Sequence, residues 1–181
     1  MNDFTLLEKD LESLNAKIED FTSNLKFEEI GKFKLSESEK ITLDLKESLK
    51  CKGIYFLEIQ NSVENKDIKK WKNDFLKNWE DDKINKSPKV ILDRLNNHSE
   101  FEEWIPLYVG KSENIGKRIK DHFCLKNEST TYALKLNSRK SIINTAFRLS
   151  VIEIKTDYYD LVVHKIEHIL RKRYNPIVGK Q

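Results

Sequence analysis

The stretch WIPLYVGKSENIGKRIKDHF, from Trp104 to Phe123, gathers Tyr108, Lys111, Lys117, Arg118 and His122 around one strand-to-helix turn placed at Gly110. It begins as an apolar, β-prone run and continues as a basic segment with apolar residues at helical spacing. Arg118 and His122 stand four apart, so a helix brings both to one face. Arg118 offers a forked cation that matches phosphate oxygens, and His122 changes charge near neutral pH. Packing alone asks for none of these side chains at a turn. The segment is therefore the first candidate for chemistry on a phosphate-bearing partner.

Charge distribution points the same way. Net charge is only +3, but from Tyr108 to Gln181 there are 15 Lys and Arg against 7 Asp and Glu, whereas the first 107 residues hold 18 against 23. A basic C-terminal part suits a polyanion, of which nucleic acid is the common one. A chain of 181 residues with 35% charged residues and only 8 Gly and Pro describes one helix-rich, water-soluble domain, with room for an appendage. Cys51 and Cys124 supply neither a disulfide framework nor a thiolate metal site. The N-terminal residues lack a signal-peptide pattern, and no run reaches the roughly 20 apolar residues that cross a bilayer. A cytoplasmic protein without a membrane partner is expected.

The elements that must position these residues are legible from periodicity. Phe4, Leu7, Leu11, Leu14, Ile18, Phe21 and Leu25 alternate three and four apart. That heptad seam packs on a partner helix, either within the chain or across a homodimer. A connector follows from Phe27 to Lys50, in which KITLDLK (Lys40 to Lys46) alternates as a short strand does. KGIYFLEI (Lys52 to Ile59), WIPLYVG and AFRLSVIEI (Ala146 to Ile154) read as strands. Ile68, Trp71, Phe75 and Trp79 fit a helix, and Pro88 stands where another begins, carrying Val90, Ile91 and Leu95. Ser112 is the expected N-cap of the helix after the basic turn. TYALKLN is undecided between helix and strand, and a last helix runs from about Tyr158 to Arg173, before Asn175-Pro176.

With these elements in place, a family resemblance emerges. Gly53-Ile54-Tyr55 together with Tyr108-Val109-Gly110 resembles the paired signature of the GIY-YIG endonucleases. The family's arginine, eight residues after the last Gly, matches Arg118, and its histidine four residues later matches His122. Its metal-binding glutamate on a later helix, followed by a Tyr-x-Pro run, matches Glu167 with Tyr174 and Pro176. The resemblance covers about residues 49–181, leaving 1–48 as an N-terminal helical arm and connector. Two features depart from the family. The tripeptides are separated by 52 residues (56–107) rather than by about ten, which reads as a helical insertion at about 60–103. Such a detour is tolerated if the strand ends stay adjacent, because loop closure costs grow slowly with length. The family's asparagine, about twelve residues after the glutamate, falls at Gly179. Asn175, eight residues after Glu167, or Lys180 or Gln181 is left to take its place.

The fold so implied is α/β of the α+β kind: a small three-stranded, mostly antiparallel sheet flanked by helices, nuclease-like, with the arm and the insertion added. The implied activity is endonucleolytic hydrolysis of DNA phosphodiester bonds with Mg²⁺ or Mn²⁺. Tyr55 would act as general base with Tyr108 and His122 in support, Arg118 would meet the phosphate, and Glu167 would hold the metal. Gly53, Gly110, Lys111, Lys117 and Asn175 would lie against the substrate. A phenol is a poor base near its ordinary pKa of about 10, so nearby positive charge is expected to lower that value. One carboxylate is enough for a hard cation that keeps water and phosphate as its other ligands.

Other chemistries fit less well. His164 and His168 stand four apart, but Lys165 occupies the place where a zinc-protease motif needs its glutamate. Gly110-Lys111-Ser112 lacks the earlier glycine of a phosphate-binding loop, since Ile105 stands there. Within the nuclease class, restriction or defence is the expected role, with repair, mobile-element and RNA-directed enzymes as alternatives. The rival from another class is a noncatalytic nucleic-acid-binding or regulatory protein that retains the fold.

Overall fold

The β-branched runs pair as expected, and a fourth strand joins them. In the computed structural model, which describes residues 4–61, 67–99, 102–142 and 144–179, the chain has an α+β fold. Its main sheet holds β1 (Glu28–Lys34), β2 (Gly53–Gln60), β4 (Trp104–Ser112) and β5 (Ala146–Glu153) in the order β1-β5-β2-β4. Every pairing in it is antiparallel. Lys180 and Gln181 lie outside the described residues, as do parts of the insertion. No helix of the described residues is long and apolar enough to cross a membrane.

The expected three-stranded sheet is corrected to four strands by β1, which lies in the connector and pairs with β5. Its sequence, EEIGKFK, buries only Phe33 and breaks register between Glu29 and Gly31, so it carries little of the period-2 signal that marks a strand. The strand expected at Lys40–Lys46 is helix α2 (Ser38–Ser48). Ile41 and Leu45, four apart, pack together on the core while Leu43 is left exposed, so the helical period overrides the short alternation.

The insertion leaves the strand ends adjacent. β2 and β4 pair from Gly53↔Ser112 to Gln60↔Trp104, and the detour leaves between Gln60 and Trp104. It contains α3 (Ile68–Asp81), β3 (Lys89–Val90) and α4 (Leu92–Asn97). α3 starts where Asp67 accepts hydrogen bonds from the Lys69 and Lys70 amides. The helix expected from Pro88 is divided: Lys89 and Val90 first pair with β6 (Val178–Gly179), and only then does α4 begin.

The sheet separates two apolar layers. On one face Tyr55, Leu57, Phe147 and Leu149 pack with Ile119 and Phe123 of α5 (Ile115–Cys124). On the other, Ile54, Phe56 and Ile152 meet Val163, Ile166 and Leu170 of α6 (Tyr159–Tyr174) and Ile18 of α1 (Phe4–Asn24). Of the heptad seam, Ile18 is buried and Leu25 partly covered here, whereas Phe21 stays exposed. Ile18 is 9% exposed, whereas Leu7 and Leu11 remain about half exposed at 50% and 49%. Arg173 ties α6 to the end of α1 through the Thr22 and Leu25 carbonyls.

This division predicts unequal stability effects along one seam. Ile18→Ala should cost about 2–5 kcal/mol and Leu7→Ala under about 0.5 kcal/mol in urea unfolding monitored by circular dichroism. Equal losses would contradict the partition.

Candidate active site

Tyr55, Tyr108, His122 and Arg118 converge on one side of the sheet although 67 residues separate Tyr55 from His122. The register of β2 against β4 sets Tyr55 opposite Gly110 and Leu57 opposite Tyr108. The two phenol rings stack with centroids 6.1 Å apart, and the His122 imidazole lies 5.4 Å from one and 5.2 Å from the other. Gly110 makes this possible by close approach. A Cβ there would stand 2.3 Å from Tyr55 Oη and 2.7 Å from a Tyr108 ring carbon. Gly110 lies within β4 rather than at the turn, which comes after Ser112. Gly53 is also fixed by packing, since a Cβ would meet the Ile152 carbonyl oxygen of β5 at 2.0 Å. The expected Ser112 cap is replaced by Asn114, whose side chain accepts from the Lys117 amide, while Ser112 Oγ accepts from the Asn114 amide in the preceding turn.

The hydrogen bonds of His122 determine its tautomer. The Leu134 amide donates to Nδ1 at 3.0 Å, so Nδ1 carries no proton. In the neutral ring the proton is then on Nε2, which donates to Tyr55 Oη at 2.7 Å. His122 is fully buried, and its pKa lies well below 6.5 because burial opposes the charged form, with Arg118 adding to the effect. His122 is thus a donor to Tyr55, not a base in this arrangement.

The Arg118 guanidinium, whose Nη2 donates to the Tyr132 carbonyl at 2.8 Å, acts on the Tyr55 phenol by its positive charge. Sequence reasoning expected positive charge to lower the Tyr55 pKa. Arg118 does act in that direction, but burial dominates, Tyr108 adds to it, and the phenol is pushed well above 10. Tyr108 is likewise raised, by burial first, against the pull of Arg171 and Arg118. The resting site therefore holds two neutral phenols.

Glu167 approaches from α6, on the opposite face, at the β4 edge. It is 8% exposed, and its charge acts on both Tyr55 and Tyr108. Burial raises its pKa against the opposing charges of Arg171, Lys111 and His164. Arg171, one turn further along α6, donates from Nη2 to Glu167 Oε1 at 2.9 Å and from Nε to the Val109 carbonyl at 3.2 Å. Sequence reasoning missed Arg171 as a site residue because a Glu-x-x-x-Arg spacing is indistinguishable from an ordinary helix-surface pair. It also missed the Leu134 amide, because a backbone donor leaves no mark on residue identity.

The remaining expected residues scatter. Lys111 is half-buried and its charge acts on Glu167, whereas Lys117 is exposed on α5. Asn175 is the left-handed C-cap of α6. Its side-chain amide donates to the Arg94 carbonyl at 3.1 Å, and its own carbonyl meets His98 Nε2 at 2.9 Å. Its amide therefore anchors α4. No cluster of three or more His, Cys, Asp or Glu capable of holding a metal occurs among the described residues. A single carboxylate suits a hard cation that completes its shell with water and phosphate, and it does not suit zinc.

Comparison with known protein families, with curated proteins and with solved structures finds no match to this chain.

The buried, neutral His122 links stability to pH with a definite sign. Its folded pKa is depressed, so its contribution is fully present above about pH 6.5 and is lost as pH falls below that value. The unfolding free energy of wild type should therefore drop more steeply than that of His122→Gln as pH is lowered from about 7 to 5. Parallel curves would contradict the assignment.

Proposed function

We propose that the chain is a divalent-metal-dependent endonuclease of the GIY-YIG type that hydrolyses phosphodiester bonds in DNA. The observation that carries this reading is the convergence of Tyr55, Tyr108, His122 and Arg118 on one face of the sheet, with the charge of Glu167 reaching both phenols from the β4 edge. Packing alone does not require two phenols against one buried imidazole that hydrogen-bonds one of them, with a guanidinium and a carboxylate charge acting on both.

The division of labour follows from the donors. Tyr55 Oη accepts from the His122 Nε2–H, and that donor and the nearby Arg118 charge both stabilise negative charge on the oxygen. The Tyr108 ring stacks on that of Tyr55, with centroids 6.1 Å apart. Tyr55 is neutral at rest, so it can take a proton from the attacking water only after its own proton has left for bulk solvent. His122 stays neutral and positions the phenol, and its Nε2–H and the Arg118 charge favour the phenolate. Arg118 meets the charge that builds on the phosphoryl oxygens. Glu167 is the residue that would hold Mg²⁺ or Mn²⁺, which supplies charge neutralisation at those oxygens when bound. The basic C-terminal part supplies the attraction to the polyanion.

A second reading is favoured by the burial of Tyr55, which is only 1% exposed. A phenol so enclosed and so hard to ionise also suits a noncatalytic nucleic-acid-binding protein. Nicking of supercoiled plasmid with Mg²⁺ or Mn²⁺ separates the two. Wild type should nick, Tyr55→Phe should be slower by about 10²–10⁴-fold, and Glu167→Ala should be inactive. DNA binding without cleavage in either metal would support the noncatalytic reading. Equal nicking by wild type and Glu167→Ala would remove Glu167 from the mechanism. A parallel RNA digest tests the substrate class.

A further inference from the structure

A cleft of about 600 Å³ lies where the insertion meets the end of α6 and the start of β4. Its volume is that of a small-ligand site, and the rings of Trp71, Trp104 and Tyr174 line it. Each ring is held from elsewhere in the fold. Trp71 stacks on Phe75 at 5.1 Å and Phe75 on Trp79 at 5.4 Å, a ladder along α3. The Arg148 guanidinium and the Lys32 ammonium lie over the Trp104 ring, at 5.2 and 5.4 Å. Tyr174 packs on Phe27 and Phe56, at 5.2 and 5.0 Å. The aromatic wall is therefore preorganised, so a planar ligand does not have to order it on binding.

Polar groups narrow the class of ligand. Trp104 is 6% exposed, yet its Nε1–H has no acceptor among the described residues. A buried donor left unmade is costly, so an occupant that brings an acceptor atom is favoured. Lys72 and Arg173 also line the cleft. Among the described residues their donors reach backbone carbonyls alone, Lys72 that of Asn96 and Arg173 those of Thr22 and Leu25. Against these cations the described lining sets one carboxylate, the exposed Glu102. Aromatic faces with a positive margin suit a nucleobase still attached to its phosphates. The cleft is also tied to the candidate active site by the elements that build it. β4 carries Trp104 four residues before Tyr108, and α6 carries Tyr174 seven residues after Glu167, about 10 Å along the helix.

We infer that this cleft takes one unpaired nucleobase of the substrate, stacked on Trp71, with an acceptor atom of its edge on the Trp104 Nε1–H and its flanking phosphates towards Lys72 and Arg173. The inference rests on the nuclease reading for the identity of the ligand. It makes the insertion a reader of strand structure, because a position that is already unpaired costs less to unstack than a paired one. Cleavage is then directed to phosphates near such a position.

The test is fluorescence anisotropy in metal-free buffer with two duplexes, alongside plasmid nicking with Mg²⁺. One duplex carries a single unpaired nucleotide, and the other carries an abasic sugar-phosphate at the same place. Wild type should bind the first more tightly by roughly 5- to 150-fold, the range for one base stacked on an aromatic side chain. Trp71→Leu should abolish that preference, Trp71→Phe should keep most of it, and Trp104→Phe, which deletes the donor, should reduce it. Equal affinity of wild type for the two duplexes would overturn the site. So would a preference that survives unchanged in both Trp71→Leu and Trp104→Phe, or one lost equally in Trp71→Leu and Trp71→Phe, which would indicate a packing role. A wild type with the preference that never nicks would count against the nuclease reading alone. One that nicks without the preference would count against the cleft alone, and one with no affinity for either duplex would overturn both.

Discussion

The amide of Leu134 points at Nδ1 of His122, and the chemistry open to the site depends on that backbone donor. With Nδ1 occupied as an acceptor, the neutral imidazole must present its proton at Nε2, and the only direction left is towards Tyr55 Oη. Tyr55 becomes the acceptor in a chain that runs from main chain to imidazole to phenol. Were the Leu134 amide displaced, the ring could take the other tautomer, and Tyr55 would lose a donor to its oxygen.

Considerable structure is committed to holding that amide in place. Arg139 is 2% exposed, and its Nε donates to the Leu134 carbonyl at 3.1 Å. The same guanidinium donates to the Trp79 carbonyl at 2.8 Å and stacks 3.5 Å above the Trp79 ring. Lys135, fully buried in a left-handed conformation, donates from Nζ to the carbonyls of Asn85, Ser129 and Asn127. Trp79 and Asn85 belong to the insertion. The segment that interrupts the β2–β4 hairpin is thereby coupled to the protonation geometry of the residues that the hairpin carries. Buried polar networks of this kind are costly if half-satisfied and rigid if complete.

How much of this was legible in the sequence depended on whether a residue announces its environment by type and spacing. β2, β4, β5, α3 and α6 could be read because their apolar residues keep one period over a full element. β1 could not, since a seven-residue edge strand that buries one side chain leaves almost no pattern. KITLDLK was misread because three alternating apolar residues also satisfy a helix when one of them is left in solvent. In the site, Tyr55, Tyr108, Arg118 and His122 were found by motif spacing, and their convergence followed from the strand register. The tautomer of His122 was not readable, because it depends on a main-chain amide twelve residues further on. The direction of the Tyr55 shift was not readable either. It required knowing that enclosure of the ring outweighs the neighbouring Arg118 charge. Asn175 was read from the resemblance as a shifted stand-in for the family's asparagine, whereas the left-handed C-cap geometry that suits asparagine directs its amide to the insertion.

The protonation state of His122 can be observed directly by nitrogen-15 NMR of the imidazole in labelled protein, followed from about pH 8 down to about pH 5. The expected spectrum has a protonated Nε2 and a bare Nδ1 that persist to the acid end of the range, consistent with burial and the adjacent Arg118 charge. A proton on Nδ1, or an imidazolium already formed at neutral pH, would contradict the arrangement on which the role of Tyr55 rests.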